Sequence, residues 1–233
     1  MYYPFKFFKS CIDFSASFSS FSSFLNVSAN YKRSKLNMTF SSSYSTYNGD
    51  HFGEVIWARK FGKDNSVRDR YYDGNGVKTD FSIFGKASYL LNNNLEFYGD
   101  LQVRNVGYKT TGLTSDLVNM IIDKSYKFFN PKFGLSFKLN SNSIIYGSYS
   151  RANREPSRSD YESNINIRPE QLNDFELGWR YMKNGLKFNV NSYYMSYNEQ
   201  LVLTGALDDV GTPIRTNSGS SYRIGIEADA QLM

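Results

Sequence analysis

Apolar and polar residues alternate with a period of two along much of this chain, and this pattern restricts it to β-strands. In the segment 95–104 the odd-numbered residues are all apolar or glycine, whereas Glu96, Asp100 and Arg104 are even-numbered. Successive side chains of a strand point to opposite faces, so such a segment has one apolar and one charged face. The pattern recurs in segments 133–139, 175–181, 186–191 and 222–230 and, more weakly, in 25–31, 36–44, 80–91 and 144–151. We therefore predict about nine strands, each near the length that crosses a bilayer at a tilt.

Short and long connections alternate between the predicted strands. The short turns are 32–35, 92–94, 140–142 and 183–185, and the last contains the hairpin dipeptide Asn184-Gly185. The long polar connections are 45–79, 108–130, 152–171 and 200–220, and a short helix is predicted at 116–124. In an antiparallel meander alternate connections lie at opposite ends, so the short turns share one end and the long loops the other. This sorting is typical of outer-membrane barrels, which have short periplasmic turns and long extracellular loops.

The polarity of the chain does not exclude a membrane location. Its mean hydropathy is -0.50, but only every second residue of a barrel strand meets lipid. No run of about 18 apolar residues is present, which excludes a transmembrane helix. Tyr and Trp near the predicted strand ends favour a membrane interface. Two alternatives stay open: a soluble β-sandwich binding module, whose apolar faces would meet in a core, and a complete small outer-membrane barrel.

The sequence offers no set of residues for catalysis or for a cofactor. The net charge is +5, but Lys and Arg are scattered, so no nucleic-acid partner is expected. A single Cys11 and a single His51 exclude a disulfide framework and a Cys/His metal cluster. The Gly-x-Gly at 74–76 follows no strand-to-helix pattern. Asp64-Asn65 and Asp208-Asp209 are ordinary polar loop residues as readily as Ca²⁺ ligands. We predict that the protein is not an enzyme.

Three arginines at the end of one predicted strand and in the loop after it are the candidate binding residues. Arg151, Arg154 and Arg158 lie close together in sequence and offer charged donors to an anionic ligand or to lipopolysaccharide. The alternative is a solvated loop, in which exposed charges contribute little.

Four motifs in the second half of the chain resemble the barrels of TonB-dependent outer-membrane receptors. They are YGSYSRANREPS at 146–157, RPEQLNDFELGWRY at 168–181, VNSYYMSYNEQLVL at 190–203, and NSG at 217–219 followed by RIGIEA at 223–228. The first is similar to the family's Tyr-x-x-Tyr-Ser-Arg-x-x-Arg-x-Pro-Ser, and the second to its Pro-Glu followed by Phe-Glu-Leu-Gly. The segment 51–58 is similar to an extracellular loop of Bacteroidetes-type members.

The resemblance implies an all-β, antiparallel, up-and-down transmembrane β-barrel. The family barrel has about 22 strands, of which about nine are visible here. Residues 25–233 are then a partial receptor barrel, and residues 1–24 stay unassigned. In the family a plug domain precedes the barrel and further strands follow the last motif, so we expect this sequence to be a fragment of the parent receptor.

The resemblance also implies a function and its partners. Receptors of this family import a scarce nutrient, such as a ferric siderophore, haem or cobalamin, across the bacterial outer membrane. The expected partners are the lipid of that membrane, a small-molecule ligand such as a metal chelate, and TonB, which acts through the plug region missing here. The modest loops are more like the siderophore or cobalamin type than the larger glycan-importing type.

Overall fold

The chain folds into one ten-stranded antiparallel sheet and a separate two-stranded hairpin. The computed structural model describes residues 10–18, 22–60, 62–64, 66–115, 117–207, 211 and 213–232. The strands of the large sheet are β1 (Ser10–Phe18), β2 (Ser22–Arg33), β3 (Leu36–Glu54), β4 (Arg70–Leu90), β5 (Leu95–Leu113), β6 (Asn119–Asn140), β7 (Ser143–Arg154), β8 (Glu170–Lys183), β9 (Leu186–Asn198) and β12 (Ser221–Leu232). The hairpin consists of β10 (Leu201–Leu207) and β11 (Pro213–Asn217), and the short helix α1 spans Arg158–Ser163.

The large sheet is a meander in which each strand pairs with its neighbour in sequence, and β12 follows β9. The predicted antiparallel fold is therefore confirmed, and β1 adds a tenth strand before the nine that the alternation predicts. Tight turns join the strands at one end. At the turn between β8 and β9, Asn184 and Gly185 have φ values of 50° and 80°, which the hairpin dipeptide adopts readily. β1 and β12 form the two edges of the sheet.

Four strands extend much further than the sequence predicts. β5 and β6 pair continuously up to Leu113 and Asn119, so only residues 114–118 connect them. The predicted helix at 116–124 is wrong, because residues 119–124 belong to β6. Met120 and Ile122 are buried on one face while Ile121 is 73% exposed on the other. With apolar residues on both faces, the period-two pattern disappears from the sequence although the strand continues.

One face of the large sheet is apolar and exposed. In-register residues form a row across it: Met38, Ala87, Gly99, Phe133, Tyr149, Phe175, Tyr194 and Ile224. The next row includes Leu177 and Ile226, which are 60% and 76% exposed. A β-sandwich would bury this face against a second sheet. An outward-facing apolar band is the arrangement of a barrel whose outer surface meets lipid.

Aromatic rings cluster at two levels of this apolar face. Near the long connections, Tyr149, Phe175, Tyr194 and Tyr222 follow one another across four strands, with ring centroids 4.9, 6.5 and 6.2 Å apart. Near the short turns, Trp179 lies 5.9 Å from Tyr181 and 5.7 Å from Phe188. Amphipathic rings at two levels mark the two interfaces of a membrane. Among the described residues, no helix is long and apolar enough to cross a membrane.

The connection between β7 and β8 lies against the opposite, polar face. We call residues 155–169, which include α1, the inner segment. Its Tyr161 and Ile167 pack with Met120 and Ile122 of β6 and with Leu201 of β10 in a buried apolar cluster. These residues form a small core on the polar face, near the end that carries the long connections.

Two glycines of β4 leave room for the inner segment. A Cβ at Gly74 would lie 2.9 Å from the backbone oxygen of Thr111 and 3.6 Å from Nη2 of Arg158. A Cβ at Gly76 would lie 3.4 Å from Nε2 of His51 and 4.0 Å from Nη1 of Arg158. The Gly-x-Gly of the sequence therefore serves close packing within the protein.

Gly74→Ala is expected to lower the free energy of unfolding by about 1–3 kcal/mol, because the new Cβ meets a backbone atom that cannot turn away. Gly76→Ala is the matched control, since its nearest neighbour is a side chain at ordinary contact distance. The urea midpoints of the two variants, measured on protein refolded in lipid vesicles, check this expectation. Equal midpoints would contradict it.

A charge placed on the apolar face is expected to destabilise the barrel. Leu177→Arg puts a guanidinium into the lipid-facing band at a cost of about 2–4 kcal/mol near the bilayer midplane. Glu176→Arg introduces the same side chain one residue earlier, on the polar face. Heat-modifiable gel migration of each variant in its native outer membrane measures the folded fraction, which we expect to fall for Leu177→Arg only.

Candidate functional site

An ion-pair network around the buried carboxylate of Glu155 holds the start of the inner segment to the polar face. Oε1 of Glu155 accepts a hydrogen bond from Nζ of Lys78 at 2.7 Å, and its Oε2 accepts one from Nη1 of Arg104 at 2.8 Å. Nε of Arg104 also donates to both oxygens of Asp80, at 3.1 and 3.0 Å. Glu155 is 9% exposed at its side chain. Glu155 is therefore largely shielded from water, whereas Lys78 is 41% exposed and Arg104 and Asp80 are partly exposed. The shared hydrogen bonds couple the four side chains.

The carboxyl of Glu155 stays ionised because of this network. Its burial acts to raise the pKa, but hydrogen bonds from Arg104 and Lys78 outweigh burial and lower the pKa to about 2. A carboxylate in this setting is held by two cations and helps to fix the inner segment wherever the pH lies above the acid range.

The helix α1 begins at a capping box. Ser157 is the N-cap, and its hydroxyl accepts a hydrogen bond from the backbone N–H of Asp160. The carboxylate of Asp160 in turn accepts from the backbone N–H of Ser157 at 2.8 Å. Nη1 of Arg215, on β11, lies 3.5 Å from the other oxygen of Asp160. The Ser-x-x-Asp spacing thus starts the helix and also links it to the second sheet.

Tyr161 anchors the middle of the inner segment. Its ring stacks on that of Tyr108 with centroids 5.7 Å apart, and its hydroxyl hydrogen-bonds with that of Tyr126. Burial raises the pKa of Tyr161, so the phenol stays protonated. The segment is therefore fixed by charge at Glu155 and by ring packing at Tyr161.

The polar surface next to this anchor is formed by Arg158 and its neighbours. Nε of Arg158 donates to Oε1 of Glu162 at 2.8 Å, and Nη1 donates to Oγ1 of Thr110 at 3.3 Å. His51 lies on β3, the strand next to β4. The side chains of His51 and Arg158 both lie over Gly76 of β4. Arg158, His51 and Glu162 thus present a guanidinium, an imidazole and a carboxylate on the polar side of the sheet.

The structure does not bring the three candidate arginines together. Arg151 lies on the apolar face of β7, where its Nε donates to Oδ1 of Asn173 at 3.0 Å. Arg154 lies on the polar face at the strand end, 53% exposed and 3.7 Å from Glu170. Arg158 lies in the inner segment, packed on the sheet. Their contact with a ligand or lipid stays a prediction for each residue separately.

The sequence alone did not reveal the ion-pair network. In the sequence, Arg104 is one residue of a charged strand face, and Glu155 is part of a motif in which it has no assigned role. The two are 51 residues apart, and their contact depends on the inner segment folding back over the sheet. The one available signal was a glutamate followed by a proline, directly after a strand end.

The other predicted loop features have no common site. Among the described residues, no group of three or more His, Cys, Asp and Glu is placed to hold a metal ion. Asp64 is described, but its neighbour at position 65 and the pair at 208–209 lie outside the described residues. The side chain of Cys11 also lies outside them.

A family model described as "TonB dependent receptor-like, beta-barrel" matches residues 3–233. Among solved structures, the chain is similar to the copper transporter OprC, at 12% identity and a TM-score of 0.72 over 91% of this chain and 34% of that one. It is also similar to the ferric-catecholate import receptor Fiu from K12 E. coli, at 12% identity and a TM-score of 0.63 over 90% of this chain and 35% of that one. A third is the FrpB iron transporter from Neisseria meningitidis, at 14% identity and a TM-score of 0.62 over 91% of this chain and 34% of that one.

The chain thus spans about a third of the length of these receptors. No curated protein matches its sequence. The match to the family model covers nearly the whole chain, and its exposed apolar face is that of an outer-membrane barrel. The chain belongs to the TonB-dependent receptor β-barrel family, whose members are transporters of the outer membrane and not enzymes.

Proposed function

We propose that this chain forms part of the wall of a receptor that imports a scarce nutrient, such as a ferric siderophore, haem or cobalamin, with energy from TonB. The observation that carries the proposal is the inner segment, which is folded onto the polar face and held there by ion pairs to the buried Glu155. A fixed segment inside the lumen offers a preformed surface, which binds a ligand with less loss of conformational entropy.

The similar structures support the nutrient class. They are a copper transporter, a ferric-catecholate import receptor and an iron transporter. In this chain Arg154 and Arg158 lie on the polar side, where an anionic metal chelate would pass. Arg158 is the stronger candidate for contact with the ligand, because its position is fixed by Glu162 and Thr110.

The alternatives that the sequence left open have less support. A soluble sandwich would bury Leu177 and Ile226, which lie exposed on the apolar face. A small complete barrel would pair β1 with β12, whereas these strands are the two edges of the described sheet. An open sheet with a wide polar face is consistent with a section of a larger barrel.

Deletion of the gene is expected to abolish uptake of one radiolabelled ⁵⁵Fe-siderophore, haem or cobalamin by the cells that make the protein. Uptake should also stop when TonB is removed or the proton gradient is dissipated, because the transport is driven. A plasmid copy of the unaltered gene is the control and should restore uptake. Unchanged uptake of all three nutrient classes in the deletion strain, or uptake that persists without TonB, would refute the proposed function.

The inner segment is expected to loosen at acid pH. Because the pKa of Glu155 is lowered in the folded protein to about 2, its contribution to stability is present above its ordinary pKa of about 4.5 and is lost as the pH falls toward 2. Hydrogen-exchange protection of the Tyr161 and Ile167 amides, corrected for intrinsic rates, should fall across that range.

Glu155→Gln should remove this pH dependence and weaken protection at neutral pH by about 1–3 kcal/mol, because the hydrogen bonds from Lys78 and Arg104 lose their charged acceptor. Asp73→Asn is the matched control, since it removes a carboxylate from an exposed ion pair with Arg70. Loss of protection in both variants, or in neither, would contradict the role given to Glu155.

A further inference from the structure

We propose that Arg151 binds a phosphate group of the outer-leaflet lipid. Arg151 lies on the lipid-facing side of β7, in register with Asn173, Ser196 and Tyr222 on the next three strands. One row below it on the same face, Tyr149, Phe175 and Tyr194 form the aromatic cluster nearest the long connections. The guanidinium is therefore at the level where the apolar band ends and lipid head groups begin.

The depth of the band agrees with this placement. On β8, Asn173 lies beside Arg151, and Tyr181 belongs to the aromatic cluster at the opposite level. Eight residue steps separate them, which is about 26 Å along the strand. A tilt of about 40° reduces this to roughly 20 Å of depth, close to the apolar band of about 25 Å in such barrels.

The charge of Arg151 has no counterpart in the part of the chain that the structure describes. Three arginines that follow Arg151 in the sequence each lie near a carboxylate, Arg154 near Glu170, Arg158 near Glu162 and Arg168 near Glu199. Arg180, which also has no carboxylate partner among the described residues, lies on the polar face over the ring of Tyr146. No described carboxylate lies within ion-pair distance of Arg151, whose hydrogen-bond partner is the neutral amide of Asn173. A half-buried cation at a lipid surface needs an anion, and the anion that this surface meets is the lipid phosphate.

The geometry prepares the guanidinium for such a partner. Oδ1 of Asn173 accepts hydrogen bonds from Nε of Arg151 at 3.0 Å and from the hydroxyl of Tyr149 at 2.9 Å. These bonds fix the Nε edge of the Arg151 guanidinium and leave the N–H donors of its two Nη atoms for a ligand. An arginine fork suits phosphate oxygens, which it can bind in a bidentate manner.

Lys127 extends the same cationic surface onto β6. It lies on the lipid-facing side in register with Asn105, is exposed, and has no carboxylate within ion-pair distance among the described residues. Further along β6, by contrast, Asp123 is paired with Lys109 at 2.8 Å. On this side of the sheet, the unpaired Lys127 thus lies nearer the apolar band than the Lys109–Asp123 pair does.

The test uses the protein isolated from its own outer membrane in mild detergent, with bound lipid A counted by native mass spectrometry. Arg151→Ala should lower the retained lipid at least threefold, and Arg151→Lys should retain part of it. Arg154→Ala is the matched control, because it removes the same side chain three residues away on the polar face. Lipid A without phosphate groups, added back to delipidated protein, should bind equally weakly to the unaltered protein and to Arg151→Ala.

A second variant separates lipid binding from a structural role. Asn173→Asp keeps Arg151 but gives it a carboxylate, so the retained lipid should fall although the arginine remains. Only protein that shows heat-modifiable gel migration, and is therefore folded, is compared. If Arg151→Ala does not fold, the lipid retained by Asn173→Asp decides between lipid binding and a structural role. The proposal would be overturned if both variants retained as much lipid as Arg154→Ala. It would also be overturned if the unaltered protein bound dephosphorylated lipid A as well as it binds lipid A that carries its phosphates.

Discussion

Hydrocarbon offers no partner to a backbone N–H or C=O, so a chain that crosses a membrane must pair these groups internally. In this protein β2 to β9 each pair with a strand on both sides, and nearly always with their neighbours in sequence. The two faces of such a sheet then meet different surroundings, lipid on one side and the polar interior on the other. The period-two sequence, the exposed apolar rows and the polar face that receives the inner segment all follow from this pairing.

The sequence predicts the fold well wherever the two faces differ. The nine strands and the tight turns are found, because lipid on one side and polar surroundings on the other keep the alternation strict. It fails at β5 and β6 beyond the membrane, where Ile121 is exposed to solvent and Met120 packs under the inner segment. There the two faces no longer require different residue types, and the strand leaves no period in the sequence.

The candidate site was less predictable than the fold. Arg151 and Arg154 are three residues apart, so a strand directs them to opposite faces, but only if the strand continues through both. Arg158 follows a proline and a helix cap, and its position depends on the folding back of the whole inner segment. The contact of Glu155 with Arg104 and Lys78 has the same origin. Long-range contacts made by a folded-back connection have no local pattern from which they could be inferred.

The continuous register of the sheet limits how such a protein can change over evolutionary time. Inserting one residue within 36–44 would transfer the later side chains of β3, such as Phe40 and Tyr44, from lipid to the polar interior. The connection at 55–69 carries no such constraint, and Ile56 and Trp57 at its start are 84% and 76% exposed. Length can therefore vary in the outer connections, while the wall beneath them keeps its residue count. In descendants of this protein, insertions and deletions should therefore be concentrated in these outer connections.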